Sequence, residues 1–296
     1  MGLLEYVQFV LAPQVINGLA VGVAVVLVAL GLTIIFGLLD VINMAHGEFY
    51  AVGAYIAFSL GAIGVDFWLL LILVPAVMVV IGYAVERSLI QRVFNVPDRH
   101  VTTLLLTFGL GLVLEDILKI AFGPNTLRPP TPIPGAVEIF GMFLPNYRLF
   151  LIVVGIAVVA AVSLVVYRTR FGAMVRAAAF DRHMAASLGV PVTRVYALTF
   201  AFGVALAGLA GVLLAPIYSI FPTMGRDFVF IAFTVVIVGG MGSIAGAVVA
   251  GLVLTQIQSI SSLFISPVWS DPIVFGIMVA VLMMRPQGLF GRLGHA

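Results

Sequence analysis

Long apolar runs, separated by short polar or Gly- and Pro-rich intervals, set the pattern of this chain. Nine segments stand out, near residues 15–38, 47–61, 67–86, 101–121, 149–167, 195–215, 228–239, 243–260 and 272–284. Their apolar residues are continuous rather than alternating. That predicts membrane helices and excludes a transmembrane β-barrel, whose strands alternate apolar and polar positions. A straight helix needs about 20 apolar residues to cross roughly 30 Å of hydrocarbon. The second and seventh segments fall short of that length and are expected to be broken or re-entrant. The expected fold class is therefore an all-α polytopic membrane protein with 8–9 transmembrane or re-entrant helices, residues 1–296 forming a single transmembrane domain.

Composition agrees. Of 296 residues, 63% are hydrophobic and 9% charged, and the mean hydropathy is +1.26. Soluble domains carry about 25% charged residues, so a soluble enzyme and a disordered chain are both excluded. The longest polar intervals, 122–148 and 168–194, leave no room for a fused catalytic domain. The net charge of +2 is too small to point to nucleic acid, and the absence of cysteine removes disulfides, zinc–thiolate sites and thiol catalysis. The opening MGLLEYVQFVLAPQ lacks the basic region of a secretory signal and is expected to be a mature N-terminus.

Positive charge sets the expected orientation. One set of loops holds Arg87, Arg92, Arg99, Arg168, Arg170, Arg176, Arg182, Arg194, Arg285 and Arg292; the opposite set holds Lys119, Arg128, Arg148 and Arg226. The first set belongs to the cytoplasm, which puts the N-terminus outside and the C-terminus inside. The outer interval carries Pro124, Pro129, Pro130, Pro132, Pro134 and Pro145, which favour stiff extended or turn structure. It reads as a linker across the outer surface or as a docking surface for an external partner. In the inner interval, Ala173–Leu188 has no Pro or Gly and lies between Gly172 and Gly189. It is expected to be one short helix on the cytoplasmic face with a Gly stop.

Two interruptions carry polarity. In GLLDVINMAHGEFY (37–50), Asp40, Asn43, His46 and Glu48 fall between apolar runs, and Gly47 lets the backbone bend or another helix approach. Charge inside a bilayer is expensive, so such residues face a cavity or a partner; the alternative is an ordinary turn in water. In VGGMGSIAG (238–246), Gly239, Gly240, Gly242 and Ser243 break an apolar run. Gly-interrupted segments in corresponding positions point to a transport pathway, with tight helix packing as the alternative. Glu115 and Asp116 are expected to be a structural pair near the outer end of the fourth segment. No phosphate-loop, H-E-x-x-H or G-x-S-x-G motif occurs.

Four motifs, in order and spanning nearly the whole chain, carry a resemblance: GLTIIFGLLDVINMAHGEFYAVGAY, RTRFGAMVRAAAFDRHMAASLGV, VGGMGSIAGAVVAG and RPQGLFG. Together they resemble the LivH-type permease subunits of bacterial ABC importers for branched-chain amino acids. The resemblance implies a LivM-like second permease subunit, two cytoplasmic ATPases that bind the ATP and Mg, and an external solute-binding protein. This chain would hold no cofactor or metal and would lie in the bacterial inner membrane. Superfamily members also serve urea, short amides and sugars. On this reading Asp40, Asn43, His46, Gly47, Glu48, Gly239, Gly240, Gly242 and Ser243 line or gate the pathway. The inner helix docks the ATPase: Met174, Ala177, Ala178 and Met184 would present the surface, Arg176, Asp181 and Arg182 would set register, and Gly172 and Gly189 would punctuate its ends. Its alternative is an amphipathic helix on lipid headgroups. A proton-coupled carrier using Asp40, His46 and Glu48 as a relay, and a membrane enzyme using His46 and Glu48 as acid and base, are the competing functions.

Overall fold

The computed structural model describes residues 2–291 apart from Asn95, Pro97 and Phe140. Arg292, one of the charges assigned to the cytoplasm, and the C-terminus lie outside the described residues. The chain is nearly all helical. A first turn, α1 (Leu3–Tyr6), runs through a π turn into α2 (Ala12–Leu39), followed by α3 (His46–Ala62), α4 (Phe67–Ser88) and α5 (Arg99–Phe122). An antiparallel hairpin, β1 (Ala136–Ile139) and β2 (Met142–Pro145), pairs Ala136 with Pro145 and Ile139 with Met142 inside the Pro-rich interval. Then come α6 (Asn146–Arg168), α7 (Arg170–Phe180), α8 (Arg182–Ser187), α9 (Val192–Tyr218), α10 (Met224–Gly239), α11 (Ile244–Ser261) and α12 (Ser270–Met284).

Among the described residues, six helical units are long and apolar enough to cross a membrane: Phe9–Leu39, Phe67–Val93, Arg99–Phe122, Asn146–Arg168, Val192–Tyr218 and Ile244–Ser261. The remaining three apolar segments are the shorter helices α3, α10 and α12, of 17, 16 and 15 residues. α2 and α9 are buried over 83% of their most apolar stretch, against 22–28% for α4, α5 and α6. The first two are thus the spine, and the other three turn large apolar side chains such as Ile72, Ile120 and Val153 outward. A surface of that kind is stable against lipid or against an apolar face of another protein.

The spine helices touch backbone to backbone. A Cβ on Gly31 would lie 2.5 Å from the Gly203 carbonyl oxygen, and one on Gly203 would lie 2.7 Å from that of Gly31. Small residues at such a crossing allow helices to approach where no hydrophobic effect drives them together. Outside this pair, α11 lies along α2 and α4 along α9, again through glycines: Gly22 faces Thr255, and Gly82 faces Ala201 and Val204.

The α6–α9 connection departs from expectation. It is two helices rather than one, because Asp181 leaves the helical backbone (φ −152°, ψ 108°) and its carboxylate accepts from His183 N (2.8 Å) and Met184 N (3.0 Å). A short acceptor side chain favours such a cap over continuing a helix.

Candidate functional site

α2 stops at Asp40, which sits in the left-handed region (φ 52°) and closes the last turn through its N–H to the Phe36 carbonyl (2.9 Å). From there the chain does not leave for solvent. Val41, Asn43 and Ala45 are fully buried, and the extended stretch climbs along α5. Asp40 pairs with Arg99 (3.3 Å) and His100 (3.4 Å) at the first turn of α5. Ile42 and Met44 meet Thr107, and Ala45 lies beside Gly111, 3.6 Å from where its Cβ would stand. Arg99 to Gly111 is 12 residues of helix, about 18 Å at ~1.5 Å per residue. The Arg99 and Asp40 side chains, which meet each other, cover part of this distance, and the backbone from Asp40 to Ala45 covers the rest.

Extended backbone buried at such depth must find partners within the protein. Thr107 supplies them. Its hydroxyl accepts from Met44 N (3.1 Å), and its proton is within reach of the Ile42 carbonyl (3.0 Å) and of its own helix's Leu104 carbonyl (3.1 Å). A reversal at Asn43, whose carbonyl accepts from His46 N (3.2 Å), then starts α3 inside the bundle.

His46 anchors that start. Its Nε2 lies 3.0 Å from the Val28 carbonyl oxygen, so Nε2 carries the proton and donates. Val28 is 11 residues, about 16 Å of helix, from the end of α2 at Leu39. Gly31 makes the slot: a Cβ there would stand 3.0 Å from the imidazole. Gly47 lets α3 meet α10, since its Cβ would run into the Gly225 carbonyl. Two short helices thus bring their N-terminal ends together between the spine and α5.

Glu48, one residue further, is 4% exposed, and its carboxylate lies over Gly225, which has no side chain to displace it. Next to it is a charge network that the sequence does not reveal. Glu115, 1% exposed, is held by Arg226 (2.6 Å) and Lys119 (2.5 Å). Glu115 is therefore not an interfacial pair with Asp116; it ties α5 to α10 beside Glu48. The buried Glu115 thus has two cations, of which Lys119 is shared with the exposed Asp116 (3.5 Å), and pairing of this kind is how buried charge becomes tolerable. A cavity of about 60 Å³ is lined by Met44, Glu48, Phe108, Gly111, Glu115 and Arg226. It has room for a few waters and not for a larger solute. Both amide atoms of Asn43, His46 Nδ1 and Glu48 Oε2 are buried without a hydrogen-bond partner among the described residues.

The other expected pathway residues lie elsewhere. Asp40 has a 56% exposed side chain at the Arg-rich end, apart from His46 and Glu48, so the three form no relay. Gly239, Gly240, Gly242 and Ser243 make the tight α10–α11 turn at that same end. The C-terminal RPQGLFG stretch folds onto this turn, with Leu289 N donating to Val238 O (2.8 Å) and Phe290 N to Gly239 O (3.0 Å). A Cβ on Gly240 would collide with Gly291, and one on Gly37 would stand 2.8 Å from the Gly242 Cα. Ser243 caps α11 by accepting from Gly246 N (3.1 Å). These glycines are packed closely against the C-terminal stretch, α2 and α11.

In the α6–α9 connection, Gly172 is not a boundary but lies inside α7, where a Cβ would run into the Val165 and Val166 carbonyls. Gly189 does end α8, at φ +85°. Ala178 is 3% exposed and faces inward, which corrects its expected place on a docking surface. Met174 is half-buried, Ala177 and Arg182 are exposed, and Arg176 donates to the Val166 carbonyl. The outward apolar residues are Phe180, Met184 and Leu188. Two backbone N–H groups hold the exposed Asp181 carboxyl below its ordinary range, that of Met184 first and that of His183 second.

No solved structure matches this chain. It is 31% identical over 294 residues to the high-affinity branched-chain amino acid transport system permease protein LivH of Salmonella typhimurium, covering 94% of this chain and 95% of that one. The corresponding permease protein BraD of Pseudomonas aeruginosa is 32% identical over the same shares. LivM of Salmonella typhimurium is 27% identical over 89% of this chain and 67% of its own. The family model described as "Branched-chain amino acid transport system / permease component" matches residues 14–282, and the chain belongs to that family.

Proposed function

We propose that this chain is the permease subunit of an ATP-driven importer that carries small amino acids, branched-chain ones first, across the bacterial inner membrane. The observation that supports this most is the non-helical segment 41–45, with Val41, Asn43 and Ala45 fully buried. It delivers Asn43, His46 and Glu48 to the meeting point of two short helices in a family of transport permeases. Irregular backbone at membrane depth is tolerated where it lines a cavity, and helix N-termini there favour the carboxylate of a substrate. Glu48 is suited to the ammonium group, and the apolar walls to an aliphatic side chain.

In this reading residues 1–296 are one domain with eight or nine crossings, the Arg-rich end is cytoplasmic, and the Pro-rich end receives an external solute-binding protein. A LivM-like subunit completes the membrane part. ATP and Mg belong to two cytoplasmic ATPases, consistent with the absence of a phosphate loop in this sequence. The helices α7 and α8 are the coupling element, docking through Ala177, Phe180, Met184 and Leu188, with Met174, Arg176, Asp181 and Arg182 setting their position. The test is uptake of labelled leucine in cells lacking other importers, with all partner subunits supplied. Uptake that persists when the ATPases carry an inactivated phosphate loop would favour a self-contained carrier; uptake of urea but not leucine would change the cargo.

A further inference from the structure

A second polar cavity, of about 190 Å³, opens between the end of α4, the turn after it, α8 and the start of α9. Glu86, Gln91, Phe94, Arg182, Thr193 and Tyr196 line it. Its chemistry is mixed in a particular way. Glu86 is 1% exposed, and its Oε2 is buried with no hydrogen-bond partner among the described residues. A buried carboxylate oxygen without a partner among the described residues is open to a cationic, hydrogen-bond-donating ligand group. Among the described residues Arg182 is engaged through Nε alone, to His183 Nε2 (3.3 Å), which leaves the outer guanidinium nitrogens to act as donors. The Gln91 carbonyl is taken by Arg87 (2.8 Å), so its amide N–H₂ can donate. Phe94 and Tyr196, with ring centroids 5.2 Å apart, form an apolar wall, and Val192 extends it.

We propose that this cavity binds a free zwitterionic amino acid with a short aliphatic side chain on the cytoplasmic side, and that occupancy slows import. The ammonium group meets Glu86, the carboxylate meets Arg182 and Gln91, and the side chain lies against Phe94, Val192 and Tyr196. The volume suits such a ligand, lying below the ~300 Å³ at which pockets for drug-sized molecules begin. A lysine inserted by a partner protein would satisfy Glu86 but leave Arg182 without a counter-ion. Because Arg182 belongs to α8 while Glu86 belongs to α4, a ligand between them braces the α7–α8 element against the bundle. Accumulated product would then resist the motion that import needs. This inference rests on the cytoplasmic assignment and amino acid cargo proposed above.

The test uses proteoliposomes holding the complete permease–ATPase assembly, with ATP inside, binding protein and labelled L-leucine outside, and unlabelled L-leucine trapped inside at increasing concentration. Internal leucine is expected to slow uptake in the wild type. Glu86→Gln, which removes a charge-assisted hydrogen bond, should raise the half-inhibiting concentration about tenfold, with uptake at zero internal leucine unchanged. Thr193→Val, milder and on another helix, should shift it in the same direction. Wild-type uptake that ignores internal leucine would overturn the inference while leaving the transport function intact; absent uptake would instead strike at the transport function. Inhibition by internal n-butylamine, a lysine side-chain mimic, but not by leucine would also overturn it, marking the cavity as a socket for a partner's basic residue.

Discussion

Thr107→Val removes one hydroxyl from α5 and leaves the side-chain shape nearly unchanged. It strands the Ile42 carbonyl and the Met44 N–H, both on the extended segment that carries Asn43 to its place. A buried polar group left unpaired costs about 1–3 kcal/mol, so the two together cost about 2–6 kcal/mol. The hydroxyl proton is shared with the Leu104 carbonyl, which places the expected loss in the lower part of that range, about 2–4 kcal/mol. At 1.4 kcal/mol per factor of ten, the open form of the segment should become roughly 30- to 700-fold more populated. The chain contains no cysteine, so Val41→Cys introduces a sole thiol at a fully buried position, and its labelling by a maleimide reports opening. Labelling should accelerate strongly in the Thr107→Val background and stay slow with Thr107→Ser, which keeps the hydroxyl. Equal labelling in all three backgrounds would show that the hydroxyl does not hold the segment.

Gly47→Ala should impair assembly or uptake, because the added methyl meets the Gly225 backbone, whereas Gly109→Ala, with open space around it, should be neutral or stabilise α5 by up to ~1 kcal/mol in thermal unfolding. In intact cells an impermeant thiol reagent should label Thr131→Cys and spare Arg182→Cys; the reverse would invert the orientation. Phe180→Asp on the outward face should reduce ATPase co-purification, while Ala178→Leu should act through internal packing and lower stability first. Asp181 caps α8 while ionised, and its carboxyl titrates below its ordinary range, so the cap's contribution persists down to that range and is lost only as pH falls through the lowered folded value; ATPase stimulation should therefore fall with Asp181→Ala but not between pH 8 and 6.

The nine apolar segments correspond to nine helices in the structure, with ends differing by a few residues, because the length of an apolar run is a local property that any window of the chain displays. The shortness of α3 and α10, the Gly189 stop and the polar break at 40–48 were legible for the same reason. Depth was not. Whether 40–45 turned in water or ran buried depended on Thr107 and Val28, more than 60 residues ahead and 18 behind their partners. Glu115 read as one of a structural pair with Asp116 until α10 brought Arg226 against it, 111 residues along the chain. The glycines of 238–246 looked like a second break until the C-terminal stretch was seen folded onto them. Ala178 is indistinguishable in sequence from Ala177, yet one faces the bundle and the other does not. The sequence alone determined which stretches form apolar helices, since the hydrophobicity and length of each stretch are read separately. Only the tertiary structure decided which polar groups share a buried site, since a buried charge or an unpaired backbone group is made tolerable by partners that the linear order does not place beside it.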